Sequence, residues 1–225
     1  MLSVVEIWNL ALAKTGSSGS VNSQDEESRE AELCRQFYPT IRRHALQAAH
    51  WSAGKRSRRL ALLKARDHSI DWADTDPSPG FAFSYAQPAD MLHPRYTTAY
   101  APFEIGVYWN GTTHVKAIHT NAEDMVFTYT ADEEDTSLWS VNLETAVWYA
   151  LAAMLCSPLT GSTRKSQGLM QEANNAILLA RQNEANFDDA PIEHIPDWLQ
   201  ARGISGPTNP NKFMYPVGAM FTGAM

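Results

Sequence analysis

The hydrophobic positions change their period along the chain, and each change marks a different kind of element. Val4, Trp8, Ala11 and Thr15, with Ile7 beside them, recur at helical spacing, which predicts an amphipathic helix. Ser3 and Glu6 are placed as a capping box at its start, each side chain able to satisfy the other's backbone N–H. Gly16 supplies a left-handed stop, and the Ser/Gly residues 17–20 read as a flexible link. A second box, Ser23 with Glu26, predicts the start of a longer helix. Asp25, Glu26 and Glu27 would complement the positive end of its dipole, with Arg42 and Arg43 towards the far end. Its apolar stripe is Cys34, Phe37, Tyr38, Ile41, Ala45 and Ala48. Pro39 predicts a kink or a break in it, and the helix should finish near His50 and Trp51.

Residues 52–65 are ambiguous. Arg, Leu, Ala and Lys dominate, so propensity favours helix, but the apolar cluster Leu60, Leu62 and Leu63 does not settle the period. Residues 67–80 are polar, with Pro77, Pro79 and Gly80, and read as a surface loop. From residue 81 to 130 the pattern alternates. Phe81, Phe83 and Tyr85 give one strand, ended by Gln87, Pro88, Ala89 and Asp90. Phe103, Ile105, Val107 and Trp109 give another, followed by the hairpin signal Asn110-Gly111. Val115, Ala117 and His119 carry the returning strand, and Met125, Phe127 and Tyr129 a further one.

Helical spacing returns at Ser140. Leu143, Val147, Ala150, Leu151, Met154 and Leu155 are apolar nearly all round, which predicts a helix buried between others and closed by Pro158 and Gly161. A last helix from about Thr163 to Phe187 presents Leu169, Ala173, Ala176, Ile177 and Ala180 on one face. Beyond Asp189, five prolines deny the tail regular structure, yet Ile192, Ile195, Trp198, Leu199, Phe213, Met214, Tyr215 and Phe221 are more apolar than a linker requires. An extended arm that docks on a partner is expected.

Composition narrows the classes. The chain has 225 residues, 44% hydrophobic and 19% charged, enough for one sizeable domain or a core with an insertion. A net charge of −7 argues against a protein that grips nucleic acid over its whole surface. The charge is uneven. Arg42, Arg43, Lys55, Arg56, Arg58, Arg59, Lys64 and Arg66 form a block without an acidic residue, while Asp132, Glu133, Glu134 and Asp135 run together. Cys34 and Cys156 sit in apolar helical patterns and read as core thiols of a reduced protein. The N-terminus lacks a signal-peptide pattern, and the apolar stretch from Val147 to Cys156 falls short of the ~20 residues that span a bilayer. A soluble chain that stays inside the cell making it is expected, with no membrane partner.

Candidate chemistry is sparse. His114 and His119 fall on opposite faces of a strand and lack a third ligand, so neither a metal nor another cofactor is expected. GxSxG, GxxxxGK[ST] and GxGxxG are missing, and the stretch Gly16-Ser17-Ser18-Gly19 reads as a linker, since no strand precedes it to build a phosphate loop. The run from Asp132 to Asp135 offers carboxylates for glycoside hydrolysis, but neighbours on one loop do not straddle a substrate, and a solvated turn is the expectation. Asn110-Gly111-Thr112 is a formal glycosylation sequon read here as a hairpin turn.

The order of motifs resembles the tail tubular protein A family, the head-to-tail adaptors of short-tailed bacteriophages. The stretches that carry the resemblance are Glu6-Ile7-Trp8-Asn9-Leu10-Ala11-Leu12, then Glu32-Leu33-Cys34-Arg35-Gln36-Phe37-Tyr38-Pro39 on to His50-Trp51. They continue with Lys55-Arg56, Tyr85-Ala86-Gln87-Pro88-Ala89-Asp90-Met91-Leu92, and Leu151-Ala152-Ala153 through Ser157-Pro158-Leu159-Thr160-Gly161-Ser162. Together they span roughly residues 2 to 187.

The resemblance implies an α+β fold in which residues 1–51 and 138–189 form a helical bundle, 52–137 an inserted antiparallel β-rich domain, and 190–225 an extended C-terminal arm. It also implies that residues 52–63 are an early strand rather than a helix. Members form rings of twelve subunits beneath the portal protein, with a tail nozzle below and viral DNA passing through. The expected role is therefore structural, in the virion tail, and not enzymatic. A C-terminal arm reaches the portal in related adaptors, which makes Trp198, Leu199, Phe213, Tyr215 and Phe221 the candidate partner anchors. For the basic block, DNA contact, a solvated face and a neighbouring subunit all compete. The acidic excess elsewhere on the chain favours Arg42, Arg43, Lys55, Arg56, Arg58 and Arg59 as intersubunit cations. A virion-associated glycan hydrolase and a nucleic-acid-binding module using residues 42–66 are the alternatives.

Overall fold

A computed structural model describes residues 1–67, 73, 75–97 and 100–185. Four helices and two antiparallel sheets make a mixed α+β fold within them. Helix α1 spans Val4–Thr15, with the Ser3/Glu6 capping box formed and Gly16 as its left-handed stop at φ 79°. The link that follows is tied rather than loose. The Asn9 carboxamide donates to the Val21 carbonyl and accepts from the Val21 N–H, both at 2.8 Å, and Val21 is buried.

Helix α2 spans Arg29–Ala48 and starts later than Ser23 and Glu26 suggest. Ser28 is the N-cap. Glu26 instead accepts from the Asn22 N–H at 2.7 Å, and Arg35 reaches back to the carbonyls of Gln24 and Glu26 at 2.6 and 2.8 Å. Those bonds hold the acidic stretch as a turn outside the helix. Pro39 lies inside α2 without ending it. It withholds a donor from the preceding turn, but the buried residues Cys34, Tyr38, Ile41 and Ala45 on both sides keep the segment helical by packing. Trp51, fully buried, donates its indole N–H to the Ala45 carbonyl at 2.7 Å and so satisfies one of the orphan acceptors at the helix end.

The ambiguous segment is β-structure. Strand β1, Lys55–Arg59, pairs with β7, Val126–Ala131, and β2, Leu62–Ala65, pairs with β3, Phe83–Ala86. Helix propensity loses here because pairing depends on neighbours rather than on the segment alone. Strand β4, Met91–Thr97, has no clean alternation and contains Pro94. It is an edge strand of the sheet β1-β7-β4, with register shifts around His93 and Pro94, and an edge tolerates proline's missing N–H. The hairpin of β5, Phe103–Trp109, and β6, His114–Thr120, turns through four residues. Asn110 accepts from the N–H groups of Thr112 and Thr113, and Gly111 takes φ 90°.

The second sheet has the order β2-β3-β6-β5. Tyr85 and Ile118 from it join Phe127, Tyr129 and Ala131 from the first sheet in one buried cluster. Phe103 meets Phe127 edge-on at 5.1 Å. The helices have their own cluster, which runs from Ile7 and Trp8 through Leu46 and Trp51 to Leu143, Val147, Leu151 and Leu155. Helix α3, Val141–Thr160, begins at the Ser140 cap, runs through Pro158, and stops at Gly161 with φ 68°. Its nearly continuous apolar surface is accounted for, since it packs against α1, α2 and α4. Helix α4, Thr163–Ala185, buries Leu169, Ala173 and Ala180. Cys34 and Cys156 are both buried free thiols, as their pattern suggests. Among the described residues no helix is long and apolar enough to cross a membrane.

Candidate functional site

The densest polar constellation lies where α2 meets the β1-β7-β4 sheet. Strand β7 ends beside the start of β1, with the Ala131 N–H bonded to the Gly54 carbonyl at 2.8 Å. The chain then presents Asp132 and Glu134 to α2 and Glu133 to β1. Arg42 answers with a fork, donating from Nε to Asp132 at 3.0 Å and from Nη2 to the other Asp132 oxygen at 2.9 Å. The same Nη2 reaches Glu134 at 2.7 Å, and Arg43 Nε donates to Asp132 at 2.7 Å. Arg56 on β1 pairs with Glu133 and also donates to the carbonyls of Ala53 and Lys55. Arg58 lies 3.7 Å from Asp90.

Burial makes this more than a surface pairing. The Arg42 side chain is 7% exposed and that of Asp132 is 14% exposed. Burial opposes the Arg42 charge, but the Asp132 and Glu134 carboxylates outweigh it and hold the guanidinium above its usual pKa. Nearby, the Tyr129 hydroxyl donates to Asp90 at 3.0 Å, and burial together with that carboxylate pushes Tyr129 up to about 12. Arg95 closes the junction, bonding Thr130 Oγ1 at 3.0 Å and the Trp51 carbonyl at 2.6 Å.

The acidic run is therefore solvated only at its second half, Glu134 and Asp135. Asp132 and Glu133 are largely enclosed by the guanidinium groups they bind. Of the six cations assigned to a neighbouring subunit, Arg42, Arg43, Arg56 and Arg58 find carboxylates in their own chain. Lys55 sits with its Nζ over the Tyr96 ring at 5.8 Å, and Arg59 is exposed at the end of β1. The signal that could have revealed this was in the sequence: one acid-free basic block and one run of acids, each flanking the same predicted β segment. Trp198, Leu199, Phe213, Tyr215 and Phe221 lie outside the described residues.

Two further polar features escape sequence patterning. Ser84 Oγ and His119 Nδ1 are 2.8 Å apart across β3 and β6, with the Phe81 ring stacked on the imidazole. A serine beside a histidine is the starting geometry of nucleophilic catalysis, but Ser84 is 0% exposed, so no substrate reaches its hydroxyl in this conformation. Burial lowers the His119 pKa, against the opposing pull of Glu104. The pair fixes strand against strand. Glu144, buried in the first turn of α3, accepts the Leu2 N–H at 2.9 Å and ties the segment before α1 to α3. Among the described residues no group of three or more His, Cys, Asp or Glu side chains could hold a metal ion. Compared with protein-family models and with curated proteins, the chain matches none.

Proposed function

We propose that the chain is a head-to-tail adaptor of a short-tailed bacteriophage, twelve copies of which form a collar between the portal protein and the tail nozzle. In this reading the helices from both ends form one bundle, residues 52–137 are an insertion, and residues 190–225 are an arm that engages the portal. The work is mechanical: the ring continues the channel, retains packaged DNA and offers a platform to the nozzle. DNA must slide through such a channel without being gripped, which tight phosphate binding would oppose.

The observation that carries the reading is the order of elements. Two helices, a run of antiparallel strands and two further helices follow one another, and the sequence stretches that resemble the adaptor family fall on α1, α2, the start of β1, the segment from β3 into β4, and α3. The inward pairing of Arg42, Arg43 and Arg56 favours a structural role for the block over phosphate binding, because charge already paired has less to offer a phosphate. Electron microscopy of the purified chain, alone and mixed with the portal protein of the same virion, tests the proposal. Twelvefold rings in either sample support it. Single subunits in both samples overturn it.

A further inference from the structure

Natural sheets rarely leave a long, apolar edge strand open, because its unpaired N–H and C=O groups are a template for another strand. The two sheets have four edges, and two of them are guarded. Strand β1 carries Lys55, Arg56, Arg58 and Arg59, and β4 carries Pro94 and two register shifts. Strand β5 has neither device. Its residues Phe103–Trp109 pair with β6 without a break in register and include no proline, lysine or arginine. Ile105 is 41% and Val107 63% exposed, on the face they share with buried Ile118. Among the described residues, no strand other than β6 bonds to β5.

The edge that fits β5 is the opposite end of the same sheet, on a second copy of the chain. Strand β2 pairs with β3 alone, and Leu62 is 53% exposed. Each step of the order β2-β3-β6-β5 is antiparallel, so three steps leave β2 and β5 running in opposite directions. A like-oriented copy set alongside therefore lays its β2 antiparallel to β5 and continues the ladder. The side chains match as well. Lys64 pairs with Ser84, Ser84 with His119 and His119 with Glu104, so Lys64 and Glu104 lie on one face. Leu62, Tyr85, Ile118 and Ile105 are linked in the same way on the other face. Setting Glu104 of one copy against Lys64 of the next also brings Ile105 to Leu62 and Leu63, where the register of β2 shifts. Neither Lys64 nor Glu104 has an ion-pair partner among the described residues, and opposite charges facing each other across two strands favour their pairing.

We infer that β5 pairs edge to edge with β2 of a second copy of this chain, with Glu104 against Lys64. The contact joins unlike edges, so every copy keeps one β5 and one β2 for further neighbours, and the series ends only by closing on itself. This is the lateral joint of the proposed collar, and it rests on that reading for closure at twelve.

The test puts one cysteine on each edge of the full chain, as Lys64→Cys, as Glu104→Cys and as both together. Each protein is oxidised with copper phenanthroline, alone and with portal protein. Cys34 and Cys156 are buried and do not take part. Within one chain the two edges stand three strand spacings apart, about 14 Å, too far for a disulfide. The double variant should give a ladder of covalent oligomers on non-reducing electrophoresis, from dimer upward. Each single variant should stay monomeric, and an equal mixture of the two should stop at dimer. A double variant that stays monomeric overturns the pairing even where the wild-type chain forms rings, and the collar then needs another joint. Dimers of either single variant show like edges pairing and overturn the head-to-tail assignment. A ladder from a chain that forms no rings in the electron microscope upholds the pairing and counts against the collar alone.

Discussion

Arg42 and Asp132 stand ninety positions apart in the chain and meet as a two-pronged pair, with Nε–Oδ1 at 3.0 Å and Nη2–Oδ2 at 2.9 Å. The pair joins the helix that precedes the sheets to the loop that leaves them. Removing one partner strands the other charge in a poorly solvated place. Arg42→Met should therefore destabilise the chain by about 3 kcal/mol, at the lower end of the ~3–5 kcal/mol range because Arg43 still reaches Asp132. The double variant Arg42→Met with Asp132→Leu should recover at least half of that loss. Urea unfolding of the three proteins checks both statements.

The basic block should divide by position. Arg56→Glu would face Glu133 and lose two carbonyl contacts, so a loss of about 2 kcal/mol or more is expected. Arg59→Glu, on the exposed end of β1, should change stability by no more than about 0.5 kcal/mol. Chemical denaturation compares the two. Equal effects would show that the Arg56 contacts carry no net weight.

Acid should loosen the second sheet before it titrates carboxylates. The folded pKa of His119 lies below the ordinary histidine value of about 6.5 because burial disfavours the imidazolium. Between the folded and the unfolded pKa, the unfolded chain binds more protons, so stability rises with pH across that window and falls as pH drops below about 6.5. His119→Gln should flatten the dependence of the urea midpoint between pH 7.5 and 5.5. An unchanged slope would assign the acid sensitivity to other groups.

The thiols should report unfolding. Cys34 is buried, and burial pushes its pKa up to about 12, so almost no thiolate exists at pH 8 and the folded chain shields it. Labelling with an aromatic disulfide reagent at pH 8 should proceed no faster than the chain opens. It should become rapid in 6 M guanidinium chloride.

Truncation tests the proposed arm. Both hydrophobic clusters lie within Met1–Ala185, so a chain ending at Asp189 should retain its circular dichroism. If Trp198, Phe213, Tyr215 and Phe221 anchor the portal, its affinity should fall at least tenfold, or ~1.4 kcal/mol. Undiminished binding to portal would remove the arm from that role.

Periodicity made some parts of this fold legible and pairing hid others. The helices around Trp8 and Val147 and the strands around Val107 and Phe127 announce themselves because apolar residues recur at one spacing in the sequence, although β5 leaves Ile105 and Val107 exposed and buries Tyr108 of the other face. Strand β1 does not, since Lys55, Arg56, Ser57, Arg58 and Arg59 carry no apolar residue and owe their extended form to β7. Strand β4 is masked by Pro94 and its register shifts. The start of α2 misleads for a related reason: the Ser23/Glu26 spacing is a genuine capping signature, but Arg35 recruits that turn for its own carbonyl contacts. At the junction, both charge runs were visible, but which carboxylate meets which guanidinium depends on β7 ending beside α2. No spacing rule brings Trp8 and Tyr38 into contact, because their meeting depends on how α1 lies against α2.

The central position of α3 governs how the chain can come into being. Helices α1 and α2 both pack on α3, yet α3 begins only at Val141, long after α1 has ended at Thr15. At ordinary translation speeds, α1 leaves the ribosome on the order of ten seconds before its docking surface exists. Over that interval the apolar stripes of both early helices are without their partner and open to other chains. The helical core can close only across the whole β segment, a long loop whose ends must find each other before burial rewards them, and such topologies fold slowly.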